Sequence, residues 1–294
     1  MNQKVPIHQL LYSTLRIEAQ LSENKISVGT GFIVMYEQDG LQYLFLVTNK
    51  HVIHEAKTAK FFFTKADTDN NPLLGQRFDI NVVDFDKSWY FHPLGEDIAI
   101  SPIAPWFEQI TKMGEKIYFR SIPLSLIPTK EQEEKLTALE EIIFIGYPNT
   151  IYDRKNLLPI IRKGITATPL SVDYEGKPMF LIDASVFQGS SGSPVFIYNF
   201  GSYSTADGNV IIGNRIHFVG IVTQVLSKKE HGIIEFEEIP TANVPVVKIG
   251  QMLDLGIVIK PKVIVETIES FLNQRKQQLK VKEGTTQDGA PHQI

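Results

Sequence analysis

The stretch Gly189-Ser190-Ser191-Gly192-Ser193-Pro194 lies between two apolar runs, Met179–Phe187 and Pro194–Tyr198, with Thr48-Asn49-Lys50-His51-Val52-Ile53 and Glu96-Asp97-Ile98-Ala99-Ile100 far upstream. Together they supply a hydroxyl, an imidazole and a carboxylate, the side chains that acyl transfer on a serine requires. Ser191 is the candidate nucleophile, His51 its general base and Asp97 the carboxylate that fixes the tautomer of the imidazole. Small residues around Ser191 let the backbone N–H groups of Gly189 and Ser191 approach a substrate carbonyl and hold a developing oxyanion. A merely flexible Gly/Ser loop is the plain alternative, and the apolar runs on both sides argue against it.

The order of these residues along the chain is His, Asp, Ser. Unrelated folds build the same constellation in other orders, Asp-His-Ser in the subtilisins and Ser-acid-His in the α/β-hydrolases, and the elbow G-x-S-x-G fails because position 193 is Ser. The chain resembles the trypsin-like (chymotrypsin-fold) serine proteases of the bacterial, disulfide-free type. The resemblance runs over roughly residues 10 to 260, from Gly29-Thr30-Gly31-Phe32-Ile33 through Phe144-Ile145-Gly146-Tyr147-Pro148 to Val219-Gly220-Ile221-Val222. It implies an all-β fold of two six-stranded antiparallel β-barrels, the chymotrypsin-like double barrel, here followed by a C-terminal α-helix. It also implies a serine endopeptidase without metal or organic cofactor, its site in the cleft between barrels.

Composition narrows the partners. At 294 residues, with 43% hydrophobic and 21% charged, the chain can bury a large core. A net charge of −4 leaves no broad basic field for nucleic acid or an anionic membrane, so neither is expected as a partner. There are no cysteines, so loops must be held by packing rather than disulfides. The segment Met1–His8 has no apolar stretch of secretory length and no later run approaches a membrane span, so a cytoplasmic location is expected.

Short β-branched and aromatic runs broken by Gly, Pro, Asn and Asp predict strands over most of the chain. Asp39-Gly40 between two apolar runs predicts a tight hairpin that leads to His51. Further strands are expected at 59–63, 78–85, 98–103 and 116–119, giving an N-terminal barrel over 10–120 that carries His51 and Asp97. Residues 121–140, with Pro123, Pro128 and the charged run Lys130–Lys135, predict a linker holding a short solvated helix. Strands at 141–147, 160–168, 179–184, 194–198, 216–224 and 233–238 predict a second barrel over 141–260 that carries Ser191. Ile264, Ile268, Phe271, Leu272 and Leu279 after Pro261 predict an amphipathic helix over 261–280, and the polar stretch 281–294 a disordered tail.

His54, His92 and His217 compete with His51, and Asp84, Asp86 and Glu96 with Asp97; only Asp97 fits the family pattern Asp-hydrophobic-Ala-hydrophobic. His51 and His54 form an H-x-x-H pair with no supporting ligand motif, and no metal is expected. The resemblance places the first specificity pocket at Ser185, Thr223, Gln224 and Val225; position 185 offers no carboxylate for Arg or Lys, and the face on which the nearby Asp183 falls is left open. A small or medium uncharged side chain before the scissile bond is therefore expected, in a protein or peptide substrate. Ser190 replaces the Asp that in secreted animal members pairs with a newly freed amino terminus. The chain is thus expected to be active as synthesised, or controlled by loop ordering or a regulatory protein partner. The rival reading from another class is a catalytically silent protease-fold sensor or docking module.

Overall fold

The computed structural model describes residues 7–83, 85–148, 152–187, 189–229 and 250–287. The N-terminal half comprises a helical turn α1 (Ile7–Leu10), strands β1 (Thr14–Ser22), β2 (Lys25–Gln38) and β3 (Leu41–Thr48), a helical turn α2 (Lys50–Ile53), and strands β4 (Thr58–Ala66), β5 (Pro72–Val82), β6 (Tyr90–Phe91) and β7 (Ala99–Pro102). Helix α3 (Ala104–Lys112) and the short strands β8 (Ile117–Tyr118) and β9 (Ile122–Pro123) follow. The turn α4 (Lys130–Glu133) opens on a capping box in which the Thr129 side chain and Gln132 satisfy each other's backbone N–H, which is the short helix expected of the linker.

The C-terminal half comprises β10 (Glu141–Gly146), β11 (Ile160–Thr166), β12 (Met179–Asp183), β13 (Pro194–Asn199), a small hairpin of β14 (Ser202–Ser204) and β15 (Val210–Ile212), and the long strands β16 (Arg215–Lys229) and β17 (Gly250–Ile259). Helix α5 (Pro261–Gln287) ends the described chain. It runs past the expected end at 280 into the stretch expected to be disordered, while residues 288–294 lie outside the described residues. No described helix is long and apolar enough to cross a membrane.

The C-terminal half closes as expected, into a six-stranded barrel in the order β10-β11-β12-β17-β16-β13. Its sixth strand is β17; the strand expected at 233–238 lies outside the described residues. The N-terminal half is a nine-stranded sheet in the order β5-β4-β1-β2-β3-β7-β6, with β8 on β4 and β9 on β2, and no ladder among the described residues joins its ends into the expected second barrel. The end strand β6 is only Tyr90–Phe91 and pairs with β7.

Strand alternation sorts side chains between cores. In β2 and β3, Phe32, Val34, Phe45 and Val47 enter a core shared by both halves, whereas Ile33 and Leu46 point into the N-terminal half with Ile17, Phe61, Phe63 and Trp106. In β10 and β13, Ile143, Ile145 and Phe196 join the shared core, and Ile142, Phe144, Val195 and Ile197 fill the barrel. With both faces buried, these strands read as unbroken apolar runs.

Helix α5 lays Val263, Ile264, Ile268 and Leu272 on the shared core. It also ties back to the N-terminal sheet: Tyr36 donates to Glu269 at 3.1 Å, and the Tyr90 and Ser270 hydroxyls meet at 2.8 Å. The hairpin at Asp39-Gly40 forms as expected, with φ of 55° and 74° and Gln38 opposite Leu41, the doubly left-handed turn that matches strand twist.

Candidate active site

Two ladders place the candidate residues. Strands β3 and β7 pair with Thr48 opposite Ala99, so the chain segments leaving that end carry His51 and Asp97 side by side. Strands β13 and β16 pair with Pro194 opposite Ile221, which brings Ser191, just before β13, next to Thr223, just beyond Ile221. Gly29 makes the first arrangement possible, because a Cβ there would come within 2.6 Å of Val52 on the turn α2 that carries His51.

Asp97 grips that turn with both carboxylate oxygens. Oδ1 accepts the backbone N–H of His51 at 2.9 Å, one of the donors a helix start leaves unpaired, and Oδ2 lies 2.6 Å from His51 Nδ1. Asn49, the N-cap, gives its side-chain amide not to the helix but to the Asp97 carbonyl at 3.0 Å. From the other half, the Thr223 hydroxyl donates to Asp97 Oδ2 at 2.5 Å. Burial pushes the Asp97 pKa up, but the hydrogen bond and charge of His51, the Thr223 hydroxyl and the His51 N–H together hold it below the usual carboxylate value. An ionised carboxylate can only accept, so the ring proton of neutral His51 is assigned to Nδ1 and Nε2 is left as an acceptor.

The loop around Ser191 resolves into a hydrogen-bond account. Ser190 N–H goes to Phe187 O at 3.0 Å, Gly192 N–H to Val222 O at 2.9 Å, and Ser193 N–H to Ser190 O at 3.0 Å. The N–H groups of Gly189 and Ser191 find no acceptor among the described residues, and these two alone were expected to face a substrate. Gly189 and Gly192 sit at φ of 86° and 88°, and a Cβ on Gly192 would fall 1.8 Å from the Thr30 carbonyl. The Ser191 hydroxyl donates to the Thr223 carbonyl at 3.2 Å, and no hydrogen bond joins it to the His51 ring.

The competing histidines stand elsewhere. His54 packs edge-on against Phe91, His92 is buried with Nε2 3.6 Å from the Glu266 carboxylate, and His217 is buried on β16, where burial and then the Arg215 charge lower its pKa against a backbone hydrogen bond with Leu126.

Of the residues expected to line a specificity pocket, Ser185 is half-buried, Gln224 exposed and Thr223 buried, while the Val225 side chain lies outside the described residues. Thr223 is the one whose observed contact differs from that expectation: its hydroxyl serves Asp97. No spacing rule announces that contact, because it joins residues on opposite halves of the molecule. Ser190 is 1% exposed and its hydroxyl has no partner among the described residues.

The sequence profile of the trypsin-like peptidase domain matches residues 29–199, more than half of the chain. The chain belongs to the trypsin-like peptidase domain family. That match takes in His51, Asp97 and Ser191 but stops short of Thr223. No curated protein matches this trypsin-like peptidase domain protein. Among solved structures, the Rv3671c protease from M. tuberculosis in its active form is similar at 14% identity and a TM-score of 0.43, over 88% of this chain and 80% of that one. The serine endoprotease from Yersinia pestis is similar at 15% identity and a TM-score of 0.45, over 92% of this chain and 68% of that one. An inactivated protease paralogue from the scabies mite is similar at 12% identity and a TM-score of 0.45, over 90% of this chain and 96% of that one.

Proposed function

We propose that this trypsin-like peptidase domain protein is a serine endopeptidase in which Ser191 is the nucleophile, His51 the general base and Asp97 its orienting carboxylate. The observation that carries the reading is the double grip of Asp97 on His51, which leaves Nε2 as the ring's acceptor. Ser191 Oγ turns about χ1 from the Thr223 carbonyl toward His51, gives its proton to Nε2 and bonds to the scissile carbonyl carbon. The oxyanion takes up the free N–H groups of Gly189 and Ser191. His51 then passes the proton to the leaving amine as the C–N bond breaks, and water, deprotonated by the same ring, releases the acyl group. Apart from the substrate and the hydrolytic water, the groups this route uses are side chains and backbone N–H groups of the chain.

The substrate is a protein or peptide with a small or medium uncharged side chain before the cut, a reading supported by the uncharged Ser185 and Gln224. A double-barrel arrangement and a cytoplasmic setting belong to the same proposal. The silent-module reading draws on one observation, the Ser191 hydroxyl bound to Thr223 instead of His51. Digestion of a peptide library, with products identified by mass spectrometry, separates the two. Cleavage after small uncharged residues, absent in Ser191→Ala, supports the endopeptidase; products that persist in Ser191→Ala, or no products at all, contradict it.

A further inference from the structure

Thr30, on β2, is fully buried against the nucleophile loop, and each of its polar groups is hydrogen-bonded. Its backbone N–H donates to Ser191 O at 2.9 Å, and its carbonyl accepts the Thr48 hydroxyl at 2.7 Å. Its hydroxyl meets the Gly189 carbonyl at 3.1 Å, the Tyr147 N–H at 3.1 Å and the Ser193 hydroxyl at 3.5 Å. Gly146 leaves the room for this meeting, since a Cβ there would lie 2.0 Å from Ser193 Oγ and 2.6 Å from Thr30 Oγ1.

The direction of these bonds is fixed by chemistry. A backbone N–H only donates and a carbonyl only accepts, so Thr30 Oγ1 receives from Tyr147 and commits its single proton to Gly189 O. The peptide unit joining Gly189 to Ser190 is then held at both ends, its oxygen by Thr30 and its N–H by Phe187 O. Glycine has the widest backbone freedom of any residue type, and this tether fixes the peptide on the carbonyl side of Gly189, against which its N–H is set.

We infer that Thr30 is the positioning residue of the oxyanion site, its hydroxyl keeping the Gly189 N–H available to the substrate carbonyl. The inference rests on the serine endopeptidase reading above. Thr30 touches no substrate; it acts through Gly189, so its removal weakens transition-state stabilisation and spares ground-state binding.

The test compares Thr30→Val and Thr30→Ala, which lack the hydroxyl, with Thr30→Ser, which keeps it, using a peptide substrate found in the library digest and the matching peptide aldehyde, whose adduct carries the oxyanion. Melting curves establish that each variant is folded at the assay temperature. Thr30→Val and Thr30→Ala should lose about 10- to 100-fold in kcat, less than the full loss of a direct oxyanion donor. Their KM should stay within about twofold of wild type while aldehyde affinity falls in step with kcat. Thr30→Ser should recover to within about threefold of wild type.

Folded Thr30→Val with wild-type kcat, a loss confined to KM, or a Thr30→Ser as impaired as Thr30→Val would each overturn the inference. So would a set in which every variant without the hydroxyl is unfolded, because the hydroxyl would then be structural. Fluorophosphonate labelling of wild-type Ser191 is scored separately. Absence of label there defeats the endopeptidase reading itself, whereas label with an indifferent Thr30 defeats only this inference.

Discussion

The Thr223 hydroxyl and the Asp97 carboxylate, from opposite halves of the molecule, meet at 2.5 Å. Asp97 therefore has a donor on each side, His51 from its own half and Thr223 from the barrel, and the two halves cannot shift relative to each other without disturbing the orientation of the imidazole. Asp97→Asn keeps the shape but presents an amide that can donate to Nδ1 and favour the wrong tautomer. It should lower kcat roughly 10³- to 10⁴-fold in a steady-state peptide assay. Thr223→Val removes one neutral donor and leaves the His51 contacts, so a loss of about tenfold or less is expected.

Acid stability should carry the signature of the same carboxylate. The folded pKa of Asp97 lies below its unfolded value of about 3.9. Its contribution is therefore present above that pH and is lost as pH falls through the lower folded pKa. Asp97→Asn has no such proton to bind. Urea unfolding of both proteins should show the stability gap between them narrowing as pH is lowered through about 4. A gap that widens there would contradict the assignment.

Glycine at 192 is required twice, by its φ of 88° and by the Thr30 carbonyl that a Cβ would meet at 1.8 Å. Gly208 has a φ of 81° but nothing within 4 Å of its Cβ position. Gly208→Ala should cost about 1 kcal/mol, the backbone cost alone. Gly192→Ala should cost more than about 3 kcal/mol, or fail to fold, because strand β2 must move. Denaturant midpoints compare them directly.

Arg215 and Glu140 form an ion pair with side chains only 7% and 4% exposed, and Arg215 also bonds Asn199 Oδ1 at 2.9 Å beneath the Tyr203 ring. Removing one partner strands a buried charge. Arg215→Met should cost about 3–5 kcal/mol in chemical denaturation, and the double variant Arg215→Met, Glu140→Leu should regain most of it.

Much of this was legible in the residues, for reasons that are local. Asp39-Gly40 dictates its own turn, and the unbroken apolar runs Phe32–Val34 and Phe45–Val47, rich in β-branched and aromatic residues, mark strands whatever surrounds them. The order His51, Asp97, Ser191 pointed to a family because order survives folding. Other features depend on contacts no window contains. Helix α3 and the β14–β15 hairpin were not anticipated, and whether the N-terminal sheet closes depends on which of its strands find partners. The contact of Thr223 with Asp97 was not anticipated, since nothing nearby in sequence reveals a carboxylate carried by the other half. Thr30 sat unremarked inside Gly29-Thr30-Gly31, which was read only as part of the family resemblance; the small size of the glycines lets α2 and β1 close on the strand.

The most direct measurement is the intact mass of the protein after exposure to a fluorophosphonate, followed by mapping of the modified peptide. The account predicts one adduct per chain, located on Ser191, and its loss in Ser191→Ala and near-loss in His51→Ala. An unmodified chain, or an adduct on another hydroxyl that survives Ser191→Ala, would contradict it.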